Sequence, residues 1–143
     1  MWVKENIHKQ INSQEYYWGL DSLNRHDIHS LIGKHKFFFY FTEQTCPPCV
    51  MNTIDCIKEV FPNYESDNEI IFISPDFPGR LKENCYGKRL VTLSKGKLGI
   101  PIEEMNLPFI FTLNKNLEIE KLHIVNKNDF TKTLVFLRDS EKI

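Results

Sequence analysis

Residues 36–49 read Lys36-Phe37-Phe38-Phe39-Tyr40-Phe41-Thr42-Glu43-Gln44-Thr45-Cys46-Pro47-Pro48-Cys49. An aromatic run ends a few residues before two cysteines that are two positions apart. The run's length and aromatic content favour a strand buried on both faces over a helix. Two prolines directly after Cys46 suit the first turn of a helix, whose N–H groups have no intrahelical partner to lose. That helix is expected to reach about Phe61, before Pro62, with Val50, Ile54, Ile57 and Phe61 on one stripe and Cys49, Thr53, Cys56 and Val60 beside it. Cys46 then stands at the helix start, where unpaired N–H groups and the helix dipole favour a thiolate. A dithiol so placed can close into a disulfide, and thiol–disulfide chemistry is the reading that the rest of the chain must support.

Outward from this stretch, Glu69 to Ser74 reads as a second buried strand. Strand, helix and strand at this spacing predict a βαβ unit with parallel strands and a right-handed crossover. Residues 75–105 are rich in proline and glycine and support only one short helix, around Leu81 to Leu90. Leu107-Pro108 then opens a hairpin: a strand from Phe109 to Leu113, the turn Asn114-Lys115-Asn116, and a strand from Leu117 to Val125. In the second strand the alternation holds at Leu117 and Ile119 and resumes out of step at Leu122 and Ile124, so a bulge is expected at Glu120-Lys121. A closing helix starts near Asn128 or Asp129 with Phe130, Leu134 and Leu137 inward. Residues 1–30 are mixed and polar and read as an N-terminal extension, with a short helix from Asp27 to Leu31 ending at Gly33.

The chain of 143 residues is 41% hydrophobic and 13% aromatic, which suits one domain (1–143) with its core in 31–143. A net charge of −1 argues against nucleic acid or an anionic membrane as partner. No apolar stretch approaches the roughly 18–20 residues of a membrane span. Met1 to Asn6 lack the apolar segment of a secretion signal. The protein is therefore expected to be cytosolic, or to be an envelope protein whose signal or anchor has been removed.

The order strand, CxxC helix, strand, variable segment, proline-led hairpin and closing helix resembles the thioredoxin fold. The closest resemblance is to the TlpA/ResA-like thiol–disulfide oxidoreductases of bacterial envelopes. Cys46-Pro47-Pro48-Cys49 and Leu107-Pro108-Phe109 carry the likeness, which spans roughly residues 30–140. It implies an α/β fold, a central mixed sheet flanked by helices. It further implies Cys46 as attacking thiolate, Cys49 as resolving thiol, and a cis peptide bond before Pro108. Leu107 would pair its backbone with substrate, and Thr45, Pro47 and Pro48 would complete the contact surface. No cofactor beyond the Cys46–Cys49 pair is implied and no metal. The partners would be protein thiols or disulfides and an upstream redox protein, the direction reducing rather than oxidising, and the place the periplasm or cell envelope. This chain departs from the family at three points. Thr45 stands where an aromatic residue is usual, Tyr40 where thioredoxins bury an acid, and Asn52 where a Glu is frequent. Glu43 is the acid nearest in sequence to replace the last two.

Other readings remain open beside this one. The chain could be a redox-inert binding or chaperone-like module that uses the groove at Pro108 while the CPPC stays a static disulfide. A structural zinc site needs two further ligands from Cys56, Cys85 and scattered histidines. Cys56 reads as buried packing, Cys85 as an idle thiol, and His26 and His29 as surface residues. The cations Arg80, Lys82, Lys88, Arg89, Lys95 and Lys97 read as a solvated face. If Lys88 and Arg89 border the dithiol, they would steer acidic partners to it.

Overall fold

Alternate residues of the aromatic run serve opposite faces of one sheet. The computed structural model describes residues 2–33, 36–76 and 85–141. These residues form helices α1 (Trp2–Asn6), α2 (Pro47–Val60) and α3 (Thr131–Glu141). The strands are β1 (Glu15–Trp18), β2 (His26–Asp27), β3 (Phe37–Tyr40), β4 (Ile70–Ser74), β5 (Leu90–Leu93), β6 (Phe109–Leu113) and β7 (Ile119–Ile124). They make one mixed sheet in the order β2-β1-β5-β4-β3-β6-β7.

β3 is central and fully buried. Phe37, Phe39 and Phe41 pack with Val50, Ile54 and Ile57 of α2 and Leu137 of α3. Phe38 and Tyr40 face the other side, among Ile73, Val91, Phe109 and Phe111. Burying one such ring stabilises the fold by about 1.5–3 kcal/mol, so this strand anchors both layers. The βαβ expectation holds: β3 and β4 are parallel, with Phe37 opposite Ile70 and Tyr40 opposite Ile73. The hairpin also holds, and its bulge lies where the broken alternation put it: Thr112 faces Lys121 while Leu113 faces Ile119, leaving Glu120 extra.

Two expectations change. The segment read as an N-terminal extension is woven into the sheet. β1 pairs antiparallel with β5, and Ile11, Tyr16 and Ile28 are buried in the cluster that covers the face away from α2 and α3. The expected helix over Leu81–Leu90 lies partly outside the described residues. Within them, Cys85–Gly87 is a single 3-10 turn and Leu90 begins β5, because its apolar side chains fill the sheet beside β4. The turn from Asp27 is 3-10 over Ile28–Leu31, capped by the Asp27 carboxylate, which accepts the His29 N–H. Arg80 and Lys82 lie outside the described residues, as does the side chain of Cys85.

Candidate active site

The parallel strands deliver the dithiol to one pole of the sheet. After β3 the chain turns through Thr42–Thr45. Thr45 N–H donates to the Thr42 carbonyl at 3.1 Å, Thr42 N–H to Thr45 Oγ1 at 3.0 Å, and Gln44 N–H to Thr42 Oγ1 at 3.0 Å. Thr45 is thus 1% exposed. Its side chain fixes the turn that precedes Cys46 and does not line the cleft beside the two cysteines.

Cys46 is the N-cap of α2, exposed, with Pro47 and Pro48 as the first two helical residues. Proline fits there because its fixed φ is helical and its missing N–H is not needed. With both N–H groups absent, Cys49 supplies the first amide facing the cap. Val50 N–H closes the helix onto the Cys46 carbonyl at 3.1 Å, and the buried Thr53 Oγ1 donates to the Cys49 carbonyl at 2.7 Å. The two sulfurs are free thiols of unequal character. Hydrogen bonding with the Cys49 thiol, then the Cys49 amide and the charge of Lys127, holds Cys46 below the ordinary thiol range. Burial, reinforced by Cys46, pushes Cys49 up. Cys46 therefore gives up its proton more readily than Cys49.

Both cysteines line a cleft of about 550 Å³ shared with Leu107, Pro108, Ile124 and Lys127. The antiparallel hairpin explains the meeting: the start of β6 and the end of β7 lie at the pole where β3 ends. Val125 N–H donates to the Pro108 carbonyl at 3.1 Å, extending the ladder by one residue. Leu107 lies beyond it, and its N–H and C=O make no hydrogen bond among the described residues. Pro47 and Pro48 are exposed beside the cleft without lining it.

Several expectations need correction. No peptide bond among the described residues is cis, so Leu107–Pro108 is trans. The two isomers of an X–Pro bond differ by only about 0.5–1 kcal/mol, and here the chain turns into β6 at Asn106, in the left-handed region at φ 55°. Lys88 and Arg89 do not border the dithiol. They precede β5 and line a separate 440 Å³ cavity with Lys36 and Trp18 at the opposite pole. The cation at the dithiol is Lys127, in the turn after β7, a residue that the sequence did not single out. The position of the buried acid is answered by Tyr40, whose hydroxyl donates to Glu103 Oε2 at 2.9 Å on the face away from α2. That carboxylate also accepts the N–H groups of Leu98, Gly99 and Ile100. No acid lines the cleft among the described residues, and Glu43 and Asn52 are both exposed. Cys56 is buried against the Phe130 carbonyl, and burial raises its thiol. No group of three or more potential metal ligands occurs among the described residues.

No family model and no curated protein matches the chain. Solved structures do. A thioredoxin-like protein of Porphyromonas gingivalis superposes with a TM-score of 0.55 at 17% identity, covering 96% of this chain and 95% of its own. A Chlorobium tepidum protein provisionally named thiol:disulfide interchange protein DsbE gives 0.52 at 8% identity, covering 93% and 98%. ScoI of Arabidopsis thaliana, solved with copper bound, gives 0.55 at 12% identity, covering 94% and 99%. The chain has the thioredoxin fold, a mixed sheet with the CxxC helix at one pole, and shares its architecture with these proteins.

Proposed function

We propose that the protein is a thiol–disulfide oxidoreductase of the TlpA/ResA-like kind, exchanging the Cys46–Cys49 pair with protein partners. One observation carries the reading: an exposed, acid-shifted thiol and a half-buried, base-shifted thiol share a cleft with the unpaired backbone of Leu107. In the reducing direction, the Cys46 thiolate attacks one sulfur of a substrate disulfide. The Cys46–substrate bond forms as the substrate S–S bond breaks, and its far sulfur leaves as a thiolate. Cys49 then loses its proton to solvent and attacks Cys46, forming Cys46–Cys49 and releasing the second substrate thiolate. The substrate disulfide gains two electrons and the protein dithiol loses them. An external dithiol partner restores the pair. Leu107 offers N–H and C=O to an extended substrate segment, as an added strand would take them.

The reducing direction and an envelope location rest on the family resemblance. A reduction potential nearer the roughly −270 mV of thioredoxin than the roughly −120 mV of a strong oxidant would support that direction. The central test is turnover of a protein disulfide by wild type, Cys46→Ser and Cys49→Ser. Exchange should vanish in Cys46→Ser, while Cys49→Ser should stall as a mixed disulfide visible by mass spectrometry. A wild-type protein that binds partners without any exchange is the redox-inert module instead.

A further inference from the structure

We propose that the cleft selects substrates carrying Asp or Glu beside the cysteine that enters the mixed disulfide, and that Lys127 reads that charge. The inference rests on the exchange reading and names the substrate class for the same site. Apart from the two cysteines, Lys127 is the sole ionisable side chain lining the cleft among the described residues. The remaining polar lining comes from Asn106, Asn126 and Asn128, which bear no charge. An incoming segment therefore meets one positive charge and no negative one among the lining side chains before the thiolate itself.

The backbone turn that carries Lys127 is held in place. Asn126 Oδ1 accepts the Asn128 N–H at 2.9 Å and the Asn126 carbonyl accepts the Asp129 N–H at 3.0 Å. This pinned turn sets Lys127 at its tip between β7 and α3. The competing cluster of Lys36, Lys88 and Arg89 lies at the other pole and takes no part. An acidic side chain next to the attacked sulfur gains attraction from Lys127. A basic one is repelled by it, and the groove offers no carboxylate to compensate.

The test uses pre-reduced protein and synthetic peptides closed by one internal disulfide, identical except for Glu, Gln or Lys beside both cysteines. Each rate is divided by that peptide's rate with dithiothreitol, which removes the charge's effect on the disulfide itself. Wild type should reduce the Glu peptide about tenfold faster than the Lys peptide at low ionic strength. The ratio should approach one in 1 M salt, where the screening length is about 3 Å. Lys127→Gln should flatten the ratio and Lys127→Glu should invert it. Lys115→Glu, in the hairpin turn at the far pole, makes the same change in net charge and should leave it unchanged. A Glu-to-Lys ratio equal in wild type and Lys127→Glu, with the Gln peptide still reduced, overturns this inference alone. If wild type fails to reduce even the Gln peptide, the exchange reading itself fails and the inference falls with it.

Discussion

Cys46 and Cys49 differ by burial and by direction of hydrogen bonding, and the difference has a pH signature. A thiol held below its unfolded value ionises in the native state while the unfolded thiol keeps its proton. Cys46 therefore adds stability to the reduced protein above the unfolded value near about 8.5, and that contribution is lost as pH falls through its native value. Cys49 has the opposite sign: its contribution is present below the unfolded value and is lost as pH rises through the native one. Alkylation of reduced protein, followed by mass spectrometry across pH, should label Cys46 first, with an apparent pKa below about 8.5. Cys49 and the buried Cys56 should lag. Equal labelling of all three would show that the helix start does not activate Cys46. The two cysteines were legible in the sequence because their spacing and the prolines form a local pattern. Lys127 was not, since nothing near it in the chain marks it as a neighbour of Cys46. Only the antiparallel return of β7 puts it there.

Elements differ in how openly they show their burial. β3 was readable because five consecutive aromatic residues leave no polar face. The β7 bulge was readable because alternation that changes phase needs an extra residue. β1, β2 and β5 were hidden: they are two to four residues long, and β5 follows a segment dense in glycine and proline. The junction of β7 with α3 carries a testable pH effect of its own. His123 is half-buried, its Nε2 lies 2.8 Å from Thr133 Oγ1, and its ring stacks on Phe136 at 5.2 Å. Burial, then Lys132, lowers its pKa below the usual histidine value. Native His123 resists a proton that the unfolded chain accepts, so its stabilising contribution is complete above about pH 6.5. It is lost as pH falls through the native value. Urea midpoints should decline between pH 7 and 5, and His123→Phe should flatten that decline. The central strand sets the larger scale: Phe39→Ala, between Phe41 and Phe72, should cost about 3–5 kcal/mol in urea unfolding.

At the scale of the whole molecule, residues 2–31 decide whether the sheet has a second covered face. Mixed polarity made this segment look like an appendage, because its buried side chains are scattered and follow no helix or strand period. Their partners lie far along the chain. The buried Asn6 Oδ1 accepts the Ile102 N–H at 3.1 Å. Gln14 binds the Lys97 carbonyl through Nε2 and the Lys95 N–H through Oε1, and Ile11 N–H donates to the Leu117 carbonyl at 2.9 Å. Removing the segment would strip cover from Phe38, Tyr40, Val91 and Phe111 and leave β5 without its outer partner. A chain of residues 31–143 should therefore lose the cooperative urea transition and bind a hydrophobic dye, although every residue of the CxxC helix is retained. Asn6→Ala is the gentler probe, since it leaves the Ile102 N–H buried without a partner at a cost of about 1–3 kcal/mol. A 31–143 chain that unfolds at the full-length midpoint would return the segment to the status of an appendage. If only Asn6→Ala proves harmless, the burden shifts from that hydrogen bond to the apolar contacts of Ile11, Tyr16 and Ile28.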